Sequence, residues 1–323
     1  MKDGSATDGA ATDGAAPFFA DLADGPPGGR AVWLRTEDGV RIRVGLWRGG
    51  EKGTVVLLPG RTEYIEKYGR AAGDLVARGW SVVAMDWRGQ GLADRALADP
   101  MEGHVDHFDD YQRDLDAVLA LVRAEGLPGP LMLLSHSMGG CIGLRALYRD
   151  LGFRAAVFSA PMWGILLAAW MRPVALVVSA LARPFGQAHR YAPGTGAKTY
   201  VAEAPFQGNV LTTDAGMWTY MRAQIMAQPE MSLGGPSLGW LRAALTECHA
   251  LAVKPAPQVA AITALGMLEK VVDPAPVHLR MGGWPKGQLD LYPGAEHEII
   301  MEGPAARARF FDRASALFDA NRG

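Results

Sequence analysis

LMLLSHSMGG, residues 131–140, decides the reading of this 323-residue chain. Leu131 to His136 form an apolar run suited to a buried strand, and CIGLRALYRD after Gly140 has helical spacing. Ser137 therefore sits on a strand–tight turn–helix, where a nucleophile elbow of the form G-x-S-x-G needs its serine. The turn demands small residues two before and two after the serine. Ser135 and Gly139 fill those places, and Gly140 allows the helix to pack closely. Ser135 is a departure from glycine, but a small one. The strained turn lifts the serine hydroxyl out of the sheet, which makes Ser137 the candidate nucleophile.

Outward from the elbow the same alternation repeats. Residues 32–50 read as a hairpin turning at Glu37-Asp38-Gly39, and TVVLLPG (54–60) and WSVVAMDW (80–87) as buried strands. Helical spacing follows each: Tyr64, Tyr68, Ala71 and Leu75 after the first, Phe108, Tyr111, Leu115 and Val118 after the second. RAAVFSAP (154–161) is a fourth strand. The rhythm breaks after Pro161 and resumes with VAAITALG (259–266), a helix near 274–281, the strand QLDLYPG (288–294) and a helix over 303–320. Strands alternating with helices predict an α/β fold, a mostly parallel sheet covered on both faces. The expected organisation is a core of residues 17–161 and 251–323 with an inserted helical cap at 162–250. Residues 1–16, with ATDGA duplicated at 6–10 and 11–15, carry too little apolar surface to fold and read as a disordered tail.

Composition narrows the class. A net charge of -2 gives no reason to expect nucleic-acid binding. Two cysteines, Cys141 and Cys248, make no disulfide framework or metal spacing and read as buried thiols, compatible with a reducing compartment. The N-terminus lacks the apolar region of a signal peptide. The longest apolar stretch, 163–186, is interrupted by Arg172-Pro173, so each half is too short to span a bilayer; buried or surface-active helices are expected. The expected location is the cytoplasm, with peripheral contact at the inner membrane face.

A serine at its free pKa needs an adjacent base, itself oriented by an acid. After an elbow serine these follow in the order acid, then histidine. His104, His107 and His136 precede or flank Ser137, and His189 and His249 fall in the cap. His278 lies within a helical stretch. His297 sits in PGAEHE, a loop just after a strand, and is the expected base. The acid is Glu269 or Asp273. Asp273-Pro274 reads as a helix N-cap followed by proline, which leaves Glu269 favoured and Asp273 as the alternative. Oxyanion donors are expected from the amides of Met138, after the nucleophile, and Arg61, in the loop Pro59-Gly60-Arg61.

These segments together resemble the α/β-hydrolase family of bacterial lysophospholipases and monoacylglycerol lipases, serine aminopeptidase-like hydrolases, from about residue 31 to 320. LLPGRTEYIEKYGR resembles the family's H-G-x-x-E-H-x-x-R-Y loop, and DWRGQGLADR its D-x-x-G-x-G-x-S turn. SHSMGG resembles the GHSMGG elbow, ALGMLEKVVDP the acid loop, and PGAEHE the histidine loop. Pro59 replaces the oxyanion-loop histidine, Ala93 the turn serine, and Glu269 the usual aspartate. The resemblance implies an α/β-hydrolase fold and a serine carboxylic ester hydrolase with lysophospholipid or monoacylglycerol substrates.

The cap is rich in large apolar residues, and Trp163, Trp170 and Trp218 are its candidate substrate-binding residues. Its Arg172, Arg183, Arg190, Lys198, Arg222 and Arg242 outnumber Glu203, Asp214, Glu230 and Glu247. That tilt fits an anionic head group better than a free amine, whose binding would call for clustered carboxylates. Neither His104-Asp106-His107 nor Glu296-His297-Glu298 makes an open ligand set, so no metal and no cofactor are expected. The expected partner is a lipid or other ester substrate, with peripheral membrane contact through the cap; the sequence does not specify an oligomeric state. The alternatives are an aminopeptidase or small-ester esterase on the same residues, or a non-catalytic lipid- or partner-binding protein on this scaffold.

Overall fold

The structure, a computed structural model, describes residues 12–166 and 171–323. Among them, nine strands form one sheet: β1 (Thr12–Ala16), β2 (Arg30–Arg35), β3 (Arg41–Trp47), β4 (Thr54–Leu58), β5 (Ser81–Asp86), β6 (Leu131–His136), β7 (Phe153–Ser159), β8 (Ala260–Gly266) and β9 (Gly287–Tyr292). The α-helices are α1 (Ala20–Ala23), α2 (Gly69–Ala77), α3 (Asp110–Ala124), α4 (Met138–Leu147), α5 (Met171–Ala182), α6 (Tyr200–Glu203), α7 (Ala215–Ala227), α8 (Leu238–Ala252), α9 (Pro274–Gly282) and α10 (Pro304–Ala320).

The spatial order is β1-β2-β3-β5-β4-β6-β7-β8-β9. From β5 to β9 every pairing is parallel, and β1, β2 and β3 extend that sheet as an antiparallel edge. The parallel strands read as continuous apolar runs because both faces are covered. In β4, Val56 and Leu58 join the core beneath α3 and α4, whereas Val55 and Leu57 point to the opposite core under α2 and α10, as a two-residue side-chain period dictates. On that second face Trp80 is fully buried, donates to the Ser315 hydroxyl at 3.1 Å, and meets Phe318 edge-on.

One sequence expectation is corrected. Thr12–Ala16, assigned to the disordered tail, pairs antiparallel with β2, because backbone hydrogen bonds on a sheet edge need no apolar side chains. Arg172 and Pro173, which interrupt the apolar stretch of the sequence, lie in α5. No described helix is long and apolar enough to cross a membrane.

β4 lies at the switch point of the sheet. The chain leaves it for β5 on one side and returns to β6 on the other. A crevice therefore opens at the carboxyl ends of β4 and β6, where open α/β sheets take their ligands. The loop after β4 and Ser137 after β6 both emerge there. Between β7 and β8 the chain leaves the sheet and builds α5 to α8.

A buried ion cluster fixes the loop after β4. Arg43 of β3 is wholly buried; it donates from Nε to Asp86 at 2.7 Å and from both Nη atoms to Glu66 at 2.9 and 2.7 Å. Asp86 accepts in turn from the amides of Ile65 and Leu92. One guanidinium thus ties β3, the 60–68 loop and the turn after β5 together.

Candidate active site

Ser137 has φ 49° and ψ -117°, a left-side conformation rarely adopted by a residue with a side chain. Such strain costs on the order of 1–3 kcal/mol and persists because the surroundings impose it. The imposing contact is close: a Cβ at Gly139 would fall 2.2 Å from the Leu58 carbonyl oxygen, so only glycine lets α4 begin against the end of β4. Ser135, at the other small position of the elbow, is buried, and its hydroxyl has no hydrogen-bond partner among the described residues.

His297 Nε2 lies 3.0 Å from Ser137 Oγ, and His297 Nδ1 lies 2.8 Å from Glu269 Oε2. The other oxygen of Glu269 accepts from the amides of Val271 and Val272 at 2.6 and 3.0 Å. Burial pushes the Glu269 carboxyl up, but the His297 hydrogen bond and charge and those two amides outweigh it and hold the group below its ordinary range. Asp273 is the N-cap of α9 and accepts from the Ala275 amide at 3.1 Å. The structure thus brings Ser137, His297 and Glu269 into one hydrogen-bonded line and places Asp273 at a helix end. Residues 210 and 211 pin the histidine loop: the Val210 and Leu211 carbonyls accept from the amides of His297 and Glu298.

The loop after β4 is clamped on both sides of Arg61. Gly60 donates its amide to Glu63 and accepts from Gln90 Nε2, and the Thr62 amide donates to Gln90 Oε1 at 2.7 Å. Among the described residues the Arg61 amide itself has no acceptor, nor has that of Met138, the first residue of α4. Arg61 and Ser137 line the same cavity.

Below the serine lies a second ionic group. Lys67 Nζ bonds Glu63 Oε1 at 2.7 Å and Glu298 Oε2 at 2.5 Å, and Glu63 also accepts from the Tyr68 hydroxyl. Burial opposes the Glu63 charge, yet Lys67 and the other donors hold its carboxyl down to about 2. Glu63, His136 and Glu298 lie close enough together to ligate a metal, but the Lys67 ammonium already bridges the two carboxylates. His136 Nε2 is 3.5 Å from Glu63, yet burial pushes its imidazole down to about 3, so it is neutral and the contact is not an ion pair. Its ring sits 4.8 Å from that of His297.

The cavity above Ser137 measures about 390 Å³ and is walled by apolar side chains, among them Ile165, Leu211, Met221, Ile225, Trp240 and Val272. Two sequence-predicted tryptophans are elsewhere. Trp163 donates to the Gly140 carbonyl, packs on Phe158 and Trp284, and lines a different cavity without Ser137. Trp218 is buried against Tyr200 and Phe206. Large aromatics carry enough apolar area to be drawn into the local core first. Trp170 lies outside the described residues. Trp240 takes the wall position that sequence reasoning missed. Lys67 was missed as well, although an acid and a lysine four apart at Glu63 and Lys67 is a pairing signal.

Residues 49–304 match the family model described as serine aminopeptidase, S33. The chain is similar to lysophospholipase L2 of Escherichia coli strain K12, with 33% identity over 274 residues covering 79% of this chain and 76% of that one. It is also 30% identical over 250 residues to a probable lysophospholipase L2 of Haemophilus influenzae, covering 77% and 78%. Among solved structures, a soluble variant of the Saccharomyces cerevisiae monoglyceride lipase with a substrate analogue superposes with a TM-score of 0.69 at 20% identity, over 90% of this chain and 95% of that one. At that identity the likeness concerns the fold.

Proposed function

The chain belongs to the serine aminopeptidase S33 family, and from that premise we propose that it hydrolyses carboxylic esters of monoacyl lipids, lysophospholipids or monoacylglycerols, through an acyl-enzyme on Ser137. The observation that carries this reading is the 3.0 Å contact between Ser137 Oγ and His297 Nε2 at the base of an apolar chamber. His297 Nε2 takes the Ser137 proton as Oγ attacks the ester carbonyl. Glu269 holds the Nδ1 proton and stabilises the imidazolium. The amides of Met138 and Arg61 receive the oxyanion. Collapse expels the glycerol oxygen, which takes the proton from His297. Water, deprotonated by His297, then attacks the acyl-enzyme and releases the fatty acid.

The helices of residues 162–250 act as a cap. On α5, Val174, Val177, Val178 and Leu181 recur along one face and are exposed, as is Phe185 beyond its end. That face suits peripheral contact with a lipid surface. A peptide's N-terminal ammonium would need a carboxylate in the chamber, and Glu63 and Glu298, which reach its wall, are committed to Lys67.

One panel tests the reading: fluorophosphonate labelling of Ser137, then glycerol esters of rising acyl length, monomeric and micellar, beside proline amides. The expected result is labelling, a preference for long acyl chains, and a rise in rate once micelles form. Faster cleavage of proline amides than of any ester would overturn the substrate class.

A further inference from the structure

The Ser137 chamber has a neighbour. A groove of about 1140 Å³ shares Arg61, Thr62, Thr199 and Tyr200 with it, and its far wall is formed by Gly194–Lys198 and Leu233–Gly235. The shared wall carries a charge without a counter-ion among the described residues. Arg61 Nη2 donates to the Gly234 carbonyl at 2.8 Å, and the guanidinium sits 5.2 Å above the Trp240 ring. Its Nε is sealed from solvent with no acceptor, and no carboxylate among the described residues lies within ion-pair distance of it. The guanidinium is built for five hydrogen bonds and makes one among the described residues. Burial lowers it to about 10, with Tyr111 and Tyr191 opposing, so it remains charged at neutral pH. Arg43 and Arg88 differ: each is buried and holds two carboxylates.

We propose that Arg61 and the groove beside it bind the phosphate of a glycerophospholipid head group, which makes a monoacyl glycerophospholipid the ester substrate in preference to a neutral monoacylglycerol. This rests on Ser137 as the nucleophile with the acyl chain in the apolar chamber. Arg61 lines both the cavity that holds Ser137 and the groove, so a head group in the groove lies beside the acyl site. The groove wall of glycines 194, 196, 234 and 235 leaves room for a head group. Lys198 at its mouth is paired with Glu203, so Arg61 is the lining cation that lacks a carboxylate. A guanidinium is the side chain best matched to phosphate oxygens.

The experiment compares kcat/KM for lysophosphatidylcholine and for monoacylglycerol of the same acyl chain. Arg61→Met should lower the ratio of the two about ten- to a hundredfold, the worth of a charge-assisted bond, and Arg61→Lys should lower it less. With the wild-type protein, glycerol 3-phosphate should inhibit competitively where glycerol does not, which keeps the test open if Arg61→Met fails to fold. Inorganic phosphate inhibiting as well as glycerol 3-phosphate would show a free-phosphate site and overturn the head-group assignment. An unchanged ratio in Arg61→Met, or equal inhibition by glycerol, would overturn the inference while leaving the esterase reading intact. Hydrolysis surviving in Ser137→Ala would remove the esterase reading itself.

Discussion

The floor of the Ser137 chamber and the wall it shares with the neighbouring groove treat buried charge in opposite ways. On the floor, Lys67 is held between Glu63 and Glu298, and Glu63 further accepts from Tyr68 and Gly60. On the wall, Arg61 has one carbonyl and an aromatic face. A charge that fixes geometry is restrained from several sides, because each added bond removes a direction in which the loop can move. A charge that meets a ligand keeps its donors in reserve, at a cost in stability that binding can return.

Removing the group that all of this positions should have the largest effect. Ser137→Ala is expected to lower kcat on the order of 10⁴-fold or more, measured on any accepted ester. Glu269→Gln should follow, with a loss of about 10³- to 10⁴-fold at neutral pH, because the amide keeps the shape and loses the charge opposite the imidazolium. The floor and the wall then separate in stability. Lys67→Met leaves two buried carboxylates unpaired and should cost about 3–5 kcal/mol in urea unfolding. Arg61→Met removes one hydrogen bond and a charge that lacks a counter-ion, and should stay within about 1 kcal/mol of wild type. Similar losses in the two would erase the distinction between the regions. The smallest effect belongs to Asp273→Ala, which removes the α9 cap at about 1 kcal/mol with kcat/KM unchanged. A large loss of activity there would return Asp273 to contention as the acid.

Much of the site lay in reach of the sequence for a local reason. The elbow at Ser137 is a strand, a turn and a helix in one short stretch, and the histidine loop is a strand end. Asp273 read as a cap because capping is a contact with residues two or three positions away. Trp163 and Trp218 lie away from the Ser137 chamber, which the sequence did not show because composition marks a residue as apolar without saying which cavity it faces. Trp163 turns to Phe158 and Trp284, and Trp240, unremarked in the sequence, faces the chamber. The tail was read from its lack of apolar side chains, whereas β1 is held by backbone pairing, to which composition is blind.

The sequence by itself determined the alternation of strands and helices, the serine at the turn, and the chain order that selected His297, since these are periodic or sequential properties. Only the tertiary structure decided that Glu269 meets the imidazole across 28 residues and that Ser137 meets it across 160. It alone decided that, among the described residues, Lys67 finds two carboxylates and Arg61 none. Those outcomes depend on which loops the sheet brings to one edge and on the rotamers that packing leaves open there, and neither is a function of spacing along the chain.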